Sequence, residues 1–253
     1  MTHPELIDKL TEYAARYETA DFLNGDPSWF MHQVQGDTNR EVTAFLASAL
    51  SYGSRSQFLP KIQLFLDWSG GDVLHWVSEQ AYRQQFSLND KGCFYRLYDK
   101  ATMRLFLDAT SVMIGEYGSI GDFLRCRGIG DTLAAIDAIC RWFALHHSVG
   151  VIPKDTTSSC KRLCMFMRWM VRDGSPVDLG LWGDFIDKRT LIMPMDTHVL
   201  SEACKMGLLH SRSASMSAAL RLTAVMAEIF PDDPLRGDFA LFGVGALPPV
   251  PIP

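Results

Sequence analysis

One stretch of the chain carries three cations at helical spacing. Lys161, Arg168 and Arg172 recur at i, i+7 and i+11, so a helix brings them to one face, beside Trp169. Cations next to an aromatic ring suit contacts with a nucleic-acid phosphate backbone. A charged stripe is equally typical of a solvated helix surface, and either arginine could instead pair with Asp173 or Asp178.

Two other segments place a carboxylate at the start or on the face of a predicted helix. Asp196 follows an extended, proline-containing stretch and precedes apolar residues at helical spacing, so an ordinary N-cap role explains it on its own. His198 falls in the first turn of that helix, where it is either a hydrogen-bonded structural histidine or a ligand. Asp238 and Phe242 are i,i+4 neighbours. A carboxylate beside an aromatic ring suits a purine pocket, and a capping aspartate with a core phenylalanine explains the pair equally well.

The elements that must position these residues are helical. Apolar residues recur at helical spacing along most of the chain, and glycine or proline ends the periodic segments. No segment shows the alternation that predicts a strand between hairpin turns. The sequence therefore predicts an all-α fold of about ten helices joined by short loops. The clearest predicted helical segments are 42–49, 57–68, 103–110, 133–143 and 222–229.

Two stretches fall outside the helical pattern. Residues 148–158 form the longest irregular stretch, which we expect to separate two lobes of one compact helical unit spanning residues 1–253. Residues 248–253 contain four prolines in six positions, which predicts an extended tail.

Composition and charge limit the classes of protein that fit. A chain of 253 residues with 47% hydrophobic residues is expected to bury a well-packed core. The net charge of −5 argues against a protein that coats nucleic acid by bulk charge, although it allows a local basic groove. The six cysteines lack CxxC spacing, which excludes a zinc ribbon and favours reduced, packed thiols. With a polar N-terminus and no long apolar run, we expect a cytoplasmic protein without a membrane partner.

The segment around Asp196 also carries a family resemblance. Pro194-Met195-Asp196-Thr197-His198-Val199, followed by Met206-Gly207-Leu208, resembles the catalytic segment of the helix–hairpin–helix DNA glycosylases. More broadly, the chain is similar to an uncharacterised bacterial branch distantly related to that superfamily. The stretches that carry this wider resemblance are 159–163, 167–172, 177–182 and 232–243. The resemblance implies a two-lobed helical fold with the catalytic segment in residues 156–245.

Within that superfamily, the pattern is nearest to the archaeal 8-oxoguanine DNA glycosylases. Lys161 opens a predicted helix 35 residues before Asp196, which is similar to the position of their catalytic lysine. The resemblance implies that Lys161 is the nucleophile and that Asp196 stabilises positive charge on the sugar and helps to deprotonate the lysine. It also implies that Asp238 and Phe242 hold the base. The residues expected at the DNA backbone are Ser158, Ser159, Arg162, Arg168, Arg172 and His198.

The implied function is a DNA base-excision repair glycosylase with AP lyase activity. Such an enzyme flips a damaged, for example oxidised, purine out of the duplex before lysine attacks C1′. DNA is the expected partner, with no obligate protein partner, and the resemblance implies neither a metal nor an organic cofactor. One alternative is a non-catalytic nucleic-acid-binding module that retains the glycosylase fold. Another is a metal-dependent helical enzyme, for which His146, His147 and Asp137 offer a poor ligand set.

A second glycine-containing segment competes for the same assignment. Arg127-Gly128-Ile129-Gly130 looks like the glycine hairpin of the superfamily, and Asp155 follows it in the chain. However, Asp131 stands where a lysine is expected, and the residues after Asp155 lack helical periodicity. We therefore favour Lys161 and Asp196. As a departure from the superfamily pattern, Ser158-Ser159-Cys160 stands directly before Lys161, where the glycine hairpin is usual.

Overall fold

Helices account for most of the chain in the computed structural model, which describes residues 3–148 and 150–246. The α-helices are α1 (His3–Tyr17), α2 (Asp37–Leu50), α3 (Arg55–Ser69), α4 (Val73–Ser78), α5 (Lys100–Tyr117), α6 (Ile120–Arg125), α7 (Thr132–Leu145), α8 (Lys161–Val171), α9 (Thr197–Lys205), α10 (Met216–Ile229) and α11 (Arg236–Ala246). Short 3-10 helices cover Ala20–Leu23, Pro27–His32, Ala81–Gln84 and Lys188–Thr190. The prediction of an all-α fold is confirmed.

Each of the five predicted helical segments lies inside one of these helices. The prediction that glycine ends periodic segments is confirmed for two helices, because α3 stops at Gly70 and α5 stops at Gly118, both at positive φ. A residue at positive φ reverses the chain after a helix, and glycine adopts that conformation without a Cβ clash. The predicted extended tail at 248–253 lies outside the described residues.

A short antiparallel hairpin is the element that periodicity did not predict. Strand β1 (Cys93–Tyr95) pairs with β2 (Tyr98–Asp99), with Tyr95 opposite Tyr98. Strands of three and two residues are too short to show an alternating pattern in the sequence. The hairpin therefore changes the local path of the chain without changing the fold class.

The chain divides into two compact units. The first, here the C-terminal unit, contains α1 together with α8 to α11, and the second contains α2 to α6 and most of α7. The chain passes from the second unit to the C-terminal unit between Thr156 and Thr157, inside the irregular stretch at 148–158. All residues to which the resemblance assigns chemistry belong to the C-terminal unit.

The second unit has an aromatic core and a buried carboxylate that caps a helix. Phe45, Phe106 and Phe143 lie with ring centroids 5.5–5.7 Å apart. Glu41 of α2 is buried, and its two carboxylate oxygens accept hydrogen bonds of 2.9 Å from the backbone N–H groups of Ile120 and Gly121. The carboxylate thus satisfies the free donors at the start of α6, which is a favourable place for negative charge.

Helix α8 runs through the core of the C-terminal unit. Its apolar face is fully buried at Leu163, Phe166 and Met170, and Trp182 packs edge-on against Phe166 at 5.2 Å. Helix α11 packs against α1 at Gly243, where an added Cβ would lie 2.2 Å from the Tyr17 ring. This close approach requires glycine and holds α11 in register beside the other helices.

Candidate functional site

The starts of α8 and α9 bring Lys161 and Asp196 together. Lys161 is the first residue of α8, and Asp196 is the N-cap of α9. The Lys161 Nζ atom lies 3.8 Å from Asp196 Oδ2. The lysine side chain is 32% exposed and the aspartate side chain is 12% exposed. A primary amine and a carboxylate that are far apart in sequence therefore meet where both can be reached from solvent.

Capping orients the Asp196 carboxylate. Its Oδ1 atom accepts hydrogen bonds from the backbone N–H groups of His198, at 2.9 Å, and Val199, at 2.8 Å. The N-cap role predicted for Asp196 is thus confirmed, and it occupies one oxygen only. The other oxygen is directed at Lys161. The N-terminus of α9 also favours a negative charge at this position.

The geometry allows nucleophilic chemistry at the lysine. At 3.8 Å the two groups attract each other without the short hydrogen bond of a locked ion pair. The carboxylate can accept a proton from the amine or stabilise a positive charge that develops close to it. Lysine amines of this kind attack electrophilic carbons and form Schiff bases.

His198 and Phe242 lie beside the start of α9. The His198 Nδ1 atom is 2.8 Å from the carbonyl oxygen of Gly245. Because a carbonyl oxygen only accepts, Nδ1 carries the proton and donates, so Nε2 is the acceptor in the neutral ring. Phe242 is partly buried, with its ring 6.2 Å from the His198 ring and 5.8 Å from that of Phe22. The base-binding role of Phe242 and the DNA contact of His198 stay predictions.

Asp238 lies deeper than the sequence predicts. The residue is 4% exposed, and its Oδ2 atom accepts a hydrogen bond from Arg168 Nη1. Burial raises the pKa of the Asp238 carboxyl to about 6; the Arg168 charge opposes this shift, and the negative charge of Asp196 adds to it. The Asp238 carboxylate is an internal partner of Arg168 and lies close enough to Asp196 for the two charges to interact, and its expected contact with the base stays a prediction.

The expectation that Arg168 and Arg172 contact a DNA backbone is wrong. The two residues are 3% and 1% exposed, so neither guanidinium is presented to a phosphate. Arg168 Nε donates to Asp178 Oδ1 at 3.2 Å, and Arg172 Nη1 donates to Asp178 Oδ2 at 2.5 Å. The alternative that this face of the helix is solvated is also wrong for Arg168 and Arg172, because both side chains are buried. A buried charge is stable only with a partner, and here both arginines share one carboxylate.

Further carboxylates complete this buried group. Arg172 also donates two-pronged hydrogen bonds of 2.7–3.1 Å to Asp233 and one of 2.6 Å to Glu18. Phe239 lies beneath both guanidinium groups, at 4.5 and 5.1 Å from its ring centroid. We name this group the arginine cluster, and it consists of Glu18, Arg168, Arg172, Asp178, Asp233 and Asp238.

Charge and burial oppose each other in the arginine cluster. Burial raises the pKa of Asp178, while the charges of Arg168 and Arg172 lower it less than burial raises it. Burial acts to lower the pKa of Arg172, but its hydrogen bond to Asp233 and the charge of Asp178 raise that pKa above its ordinary value on balance. The Arg172 guanidinium therefore stays charged. The cluster ties α8 to α1, to α11 and to the loops that carry Asp178 and Asp233.

The residues just before α8 lie at the surface or partly buried. Ser158 is exposed and forms an isolated antiparallel bridge with Ser215, the N-cap of α10. Ser159 is partly buried, and its carbonyl oxygen accepts a hydrogen bond from the thiol of Cys164. Arg162 is also partly buried. The three residues lie within three positions of Lys161 in the chain, and the phosphate contacts expected of Ser158, Ser159 and Arg162 stay predictions.

The alternative sites have other arrangements. The His146 ring stacks on Trp142 at 3.9 Å, and Asp137 pairs with Arg141 at 2.8 Å. Within residues 3–148 and 150–246, no three or more His, Cys, Asp or Glu side chains are grouped as for a metal ion. Asp155 lies in irregular chain six residues before the start of α8 instead of capping a helix.

The cysteines and the helix lengths complete the description. The cysteines are free thiols, of which Cys140, Cys160 and Cys164 are buried. Burial raises the pKa of the Cys164 thiol well above its ordinary value, as expected for an inert packed cysteine.

Of the helices in the described part of the chain, none combines the length and the apolar character that crossing a bilayer requires.

Comparison with known proteins identifies a family but not an activity. No curated protein matches the chain, and no solved structure matches it. One family model matches residues 26–247, which is most of the chain. The chain therefore belongs to the family described as "Protein of unknown function (DUF2400)".

Proposed function

We propose that this protein is a DNA base-excision repair glycosylase with AP lyase activity, which removes a damaged purine. The observation that carries the proposal is the Lys161 amine, 3.8 Å from a capped and partly exposed Asp196 carboxylate. The sequence motif around Asp196 supports it, because the resemblance to helix–hairpin–helix glycosylases assigns the two residues these same roles. DNA is the proposed partner, and the proposed location is the cytoplasm.

Base removal begins with the nucleotide outside the helix stack, because a stacked duplex hides the glycosidic bond. The Lys161 amine donates its electron pair to C1′ as the bond between C1′ and the base nitrogen breaks. The base leaves with that bonding pair and takes up a proton. Asp196 stabilises the positive charge on the sugar and accepts a proton from the amine. The product is a covalent bond between Lys161 Nζ and C1′.

Strand cleavage follows from the same adduct. Opening of the sugar ring converts the C1′–Nζ bond into a protonated Schiff base, which withdraws electrons from C2′. Loss of a C2′ proton forms a C2′–C3′ double bond, and the C3′–O bond breaks with the phosphate as leaving group. Water then hydrolyses the Schiff base and returns the free amine of Lys161. Each step uses only the two side chains and water.

The proposed base pocket rests on Phe242. Its ring is partly buried between Phe22 and His198 on the side of α11 that borders the start of α9. Aromatic rings stabilise flipped bases by stacking. The proposal of an oxidised purine comes from the resemblance to the archaeal 8-oxoguanine enzymes alone. A substrate panel is therefore part of the test.

The test is borohydride trapping on labelled duplexes. The panel contains 8-oxoguanine, uracil, an alkylated purine and an abasic site. Borohydride reduces the Schiff base to a stable amine, so we expect a protein–DNA adduct on one lesion, lost in Lys161→Gln. Lys188→Gln is the matched control, because Lys188 also pairs with an aspartate, Asp173, and its side chain is 36% exposed. The control should trap DNA as the unmodified protein does.

Each outcome has a distinct meaning. An adduct that survives in Lys161→Gln assigns the nucleophile to another lysine. An adduct on the abasic duplex only supports lyase chemistry and leaves the base open. Neither adduct nor released base on any duplex overturns the proposal and favours the alternative of a nucleic-acid-binding module that retains a glycosylase fold.

A further inference from the structure

We infer that residues 210–221, a basic and serine-rich strip on the C-terminal unit, bind the phosphate backbone of a nucleic acid next to Lys161. The inference rests on the proposed function and names the surface that its partner contacts. We call this segment the basic strip. It comprises the loop after α9, the N-cap of α10 and the first turns of α10.

The charge of the basic strip differs from that of the whole chain. The chain has a net charge of −5, yet residues 203–227 contain no aspartate or glutamate. Arg212 and Arg221 lie in this interval, and both are exposed. The interval also contains Lys205, which pairs with Glu202 at 2.6 Å. Because Glu202 compensates the charge of Lys205, Arg212 and Arg221 supply the remaining positive charge of this interval.

These arginines are available to a ligand. Arg221 Nη1 donates to the Ser217 hydroxyl at 2.7 Å, a neutral partner that leaves its charge uncompensated. Within the part of the chain that the structure describes, neither Arg212 nor Arg221 forms an ion pair. Exposed Ser211 and Ser213 flank Arg212. Arginine and serine side chains, with backbone N–H groups, are the usual donors to phosphate oxygens.

The position of the basic strip ties it to the candidate site. Ser215 pairs with Ser158 in an antiparallel bridge, and Ser158 precedes Lys161 by three residues. Three residues span at most about 11 Å of extended chain. On the other side, the Cys204 thiol of α9 donates to the carbonyl oxygen of Ser211 at 3.7 Å. The strip therefore meets the chain three residues before Lys161 and contacts the C-terminal end of α9.

The spacing suits a DNA strand. Phosphates recur about every 3.4 Å along the axis of one strand, so about 11 Å corresponds to roughly three nucleotides. Lys161 thus lies within roughly three nucleotides of the Ser158–Ser215 bridge, where the strip meets the chain that leads into α8. Exposed cations on a protein of net negative charge attract phosphate groups locally, while the rest of the surface attracts nucleic acid only weakly.

The test compares two double variants that remove the same charge. Arg212→Gln/Arg221→Gln neutralises the strip. Arg141→Gln/Arg189→Gln is the matched control, since those side chains are 75% and 64% exposed and pair with Asp137 and Asp187. Binding is measured by fluorescence anisotropy at several salt concentrations. The duplex contains a tetrahydrofuran abasic analogue, which lacks the C1′ leaving group and cannot form a Schiff base.

We expect the strip variant to bind the duplex about 10-fold or more weakly at low salt. We also expect the slope of log K against log salt to become shallower by about 1–2, because each lost phosphate contact removes about 0.9. The control should stay within about twofold of the unmodified protein in Kd. Thermal unfolding should show both variants folded, since all four substituted side chains are exposed or ion-paired at the surface.

Three outcomes would overturn the inference: an unchanged slope in the strip variant, an equal loss in the control, or no binding of the unmodified protein at low salt. Failure of the proposed function looks different. In that case no borohydride adduct forms on any lesion, while the strip variant still loses affinity and slope. The two ideas are therefore separable in the same set of proteins.

Discussion

The two ends of α8 carry cations on one face but hold them in opposite environments. At the N-terminal end, the Lys161 side chain is 32% exposed and faces one carboxylate at 3.8 Å. Two turns later the chain buries Arg168, and Arg172 beyond it is 1% exposed. Arg172 donates to the carboxylates of Asp178, Asp233 and Glu18. A single stripe in the sequence therefore contains a candidate reactive group and a structural ion cluster.

This difference shows what a charged stripe does and does not predict. Helical spacing correctly indicates that the three cations share a face, because 3.6 residues per turn fixes their direction. Helical spacing does not predict how deeply each side chain is buried, because burial depends on the elements that cover the face. Here Asp238 of α11 and Glu18, directly after α1, supply carboxylates to Arg168 and Arg172 at the C-terminal end of α8. The starts of α8 and α9 leave the other half partly open.

The largest expected effect is on stability, from substitution at the buried end. Arg172→Met should reduce the free energy of unfolding by about 3–5 kcal/mol, because it leaves the buried Asp178 carboxylate and its neighbours short of a partner. Lys161→Met introduces the same side chain at the exposed end and should change stability by less than about 1 kcal/mol. Urea unfolding at neutral pH measures both. Equal losses in the two variants would contradict the division of α8 into two environments.

Much of the fold follows from local sequence signals. The apolar period predicts α2, α3, α5, α7 and α10, and glycines at Gly70 and Gly118 mark two helix ends. Local chemistry also predicts the N-cap at Asp196, whose side chain bonds to backbone groups two and three residues away. These features depend on neighbours within a few residues, which a sequence displays directly.

The remainder depends on contacts between distant parts of the chain. The partners of Arg172 include Asp233 and Glu18, which are 61 and 154 residues away in sequence. Neither periodicity nor spacing predicts such ion pairs, because the packing of distant elements determines which residues come together. The sequence suggests two nearby partners for the arginines, of which Asp178 binds both and Asp173 pairs with Lys188 instead. The family resemblance predicted that Lys161 lies beside Asp196, since a separation of 35 residues in sequence gives no geometric constraint.

The second largest expected effect is a pH dependence of the free energy of unfolding, which arises from the buried carboxyl of Asp238. Burial raises the pKa of Asp238 to about 6, above its ordinary value. Between roughly pH 4 and 6 the unfolded chain ionises this group while the folded protein still holds the proton, so stability falls as pH rises. Asp238→Asn removes this contribution, and the stability curve should flatten by about 2 kcal/mol over that window.

Urea unfolding at pH 4.5, 5.5, 6.5 and 7.5 is the measurement, given that the predicted change lies between about pH 4 and 6. Asparagine keeps an oxygen that can accept from Arg168, so a constant offset between the two curves is compatible with the prediction. Asp178 also has a pKa raised by burial and contributes the same sign in both proteins. The difference between the curves therefore isolates Asp238. Parallel curves from pH 4.5 to 7.5 would show that its carboxyl titrates as an ordinary one.

The smallest expected effect on stability, at the exposed end, separates the two roles of Asp196. Asparagine is as good an N-cap as aspartate, so Asp196→Asn should retain the bonds to His198 and Val199 and alter stability by less than about 0.5 kcal/mol. Asp196→Ala removes the cap and should cost about 1 kcal/mol. Both variants lack the negative charge beside Lys161, so both should lose base release on the duplex that the unmodified protein processes. The prediction would be contradicted if base release followed stability, so that Asp196→Asn stayed active and Asp196→Ala did not. Asp196 would then act only as a helix cap, and both ends of α8 would be structural.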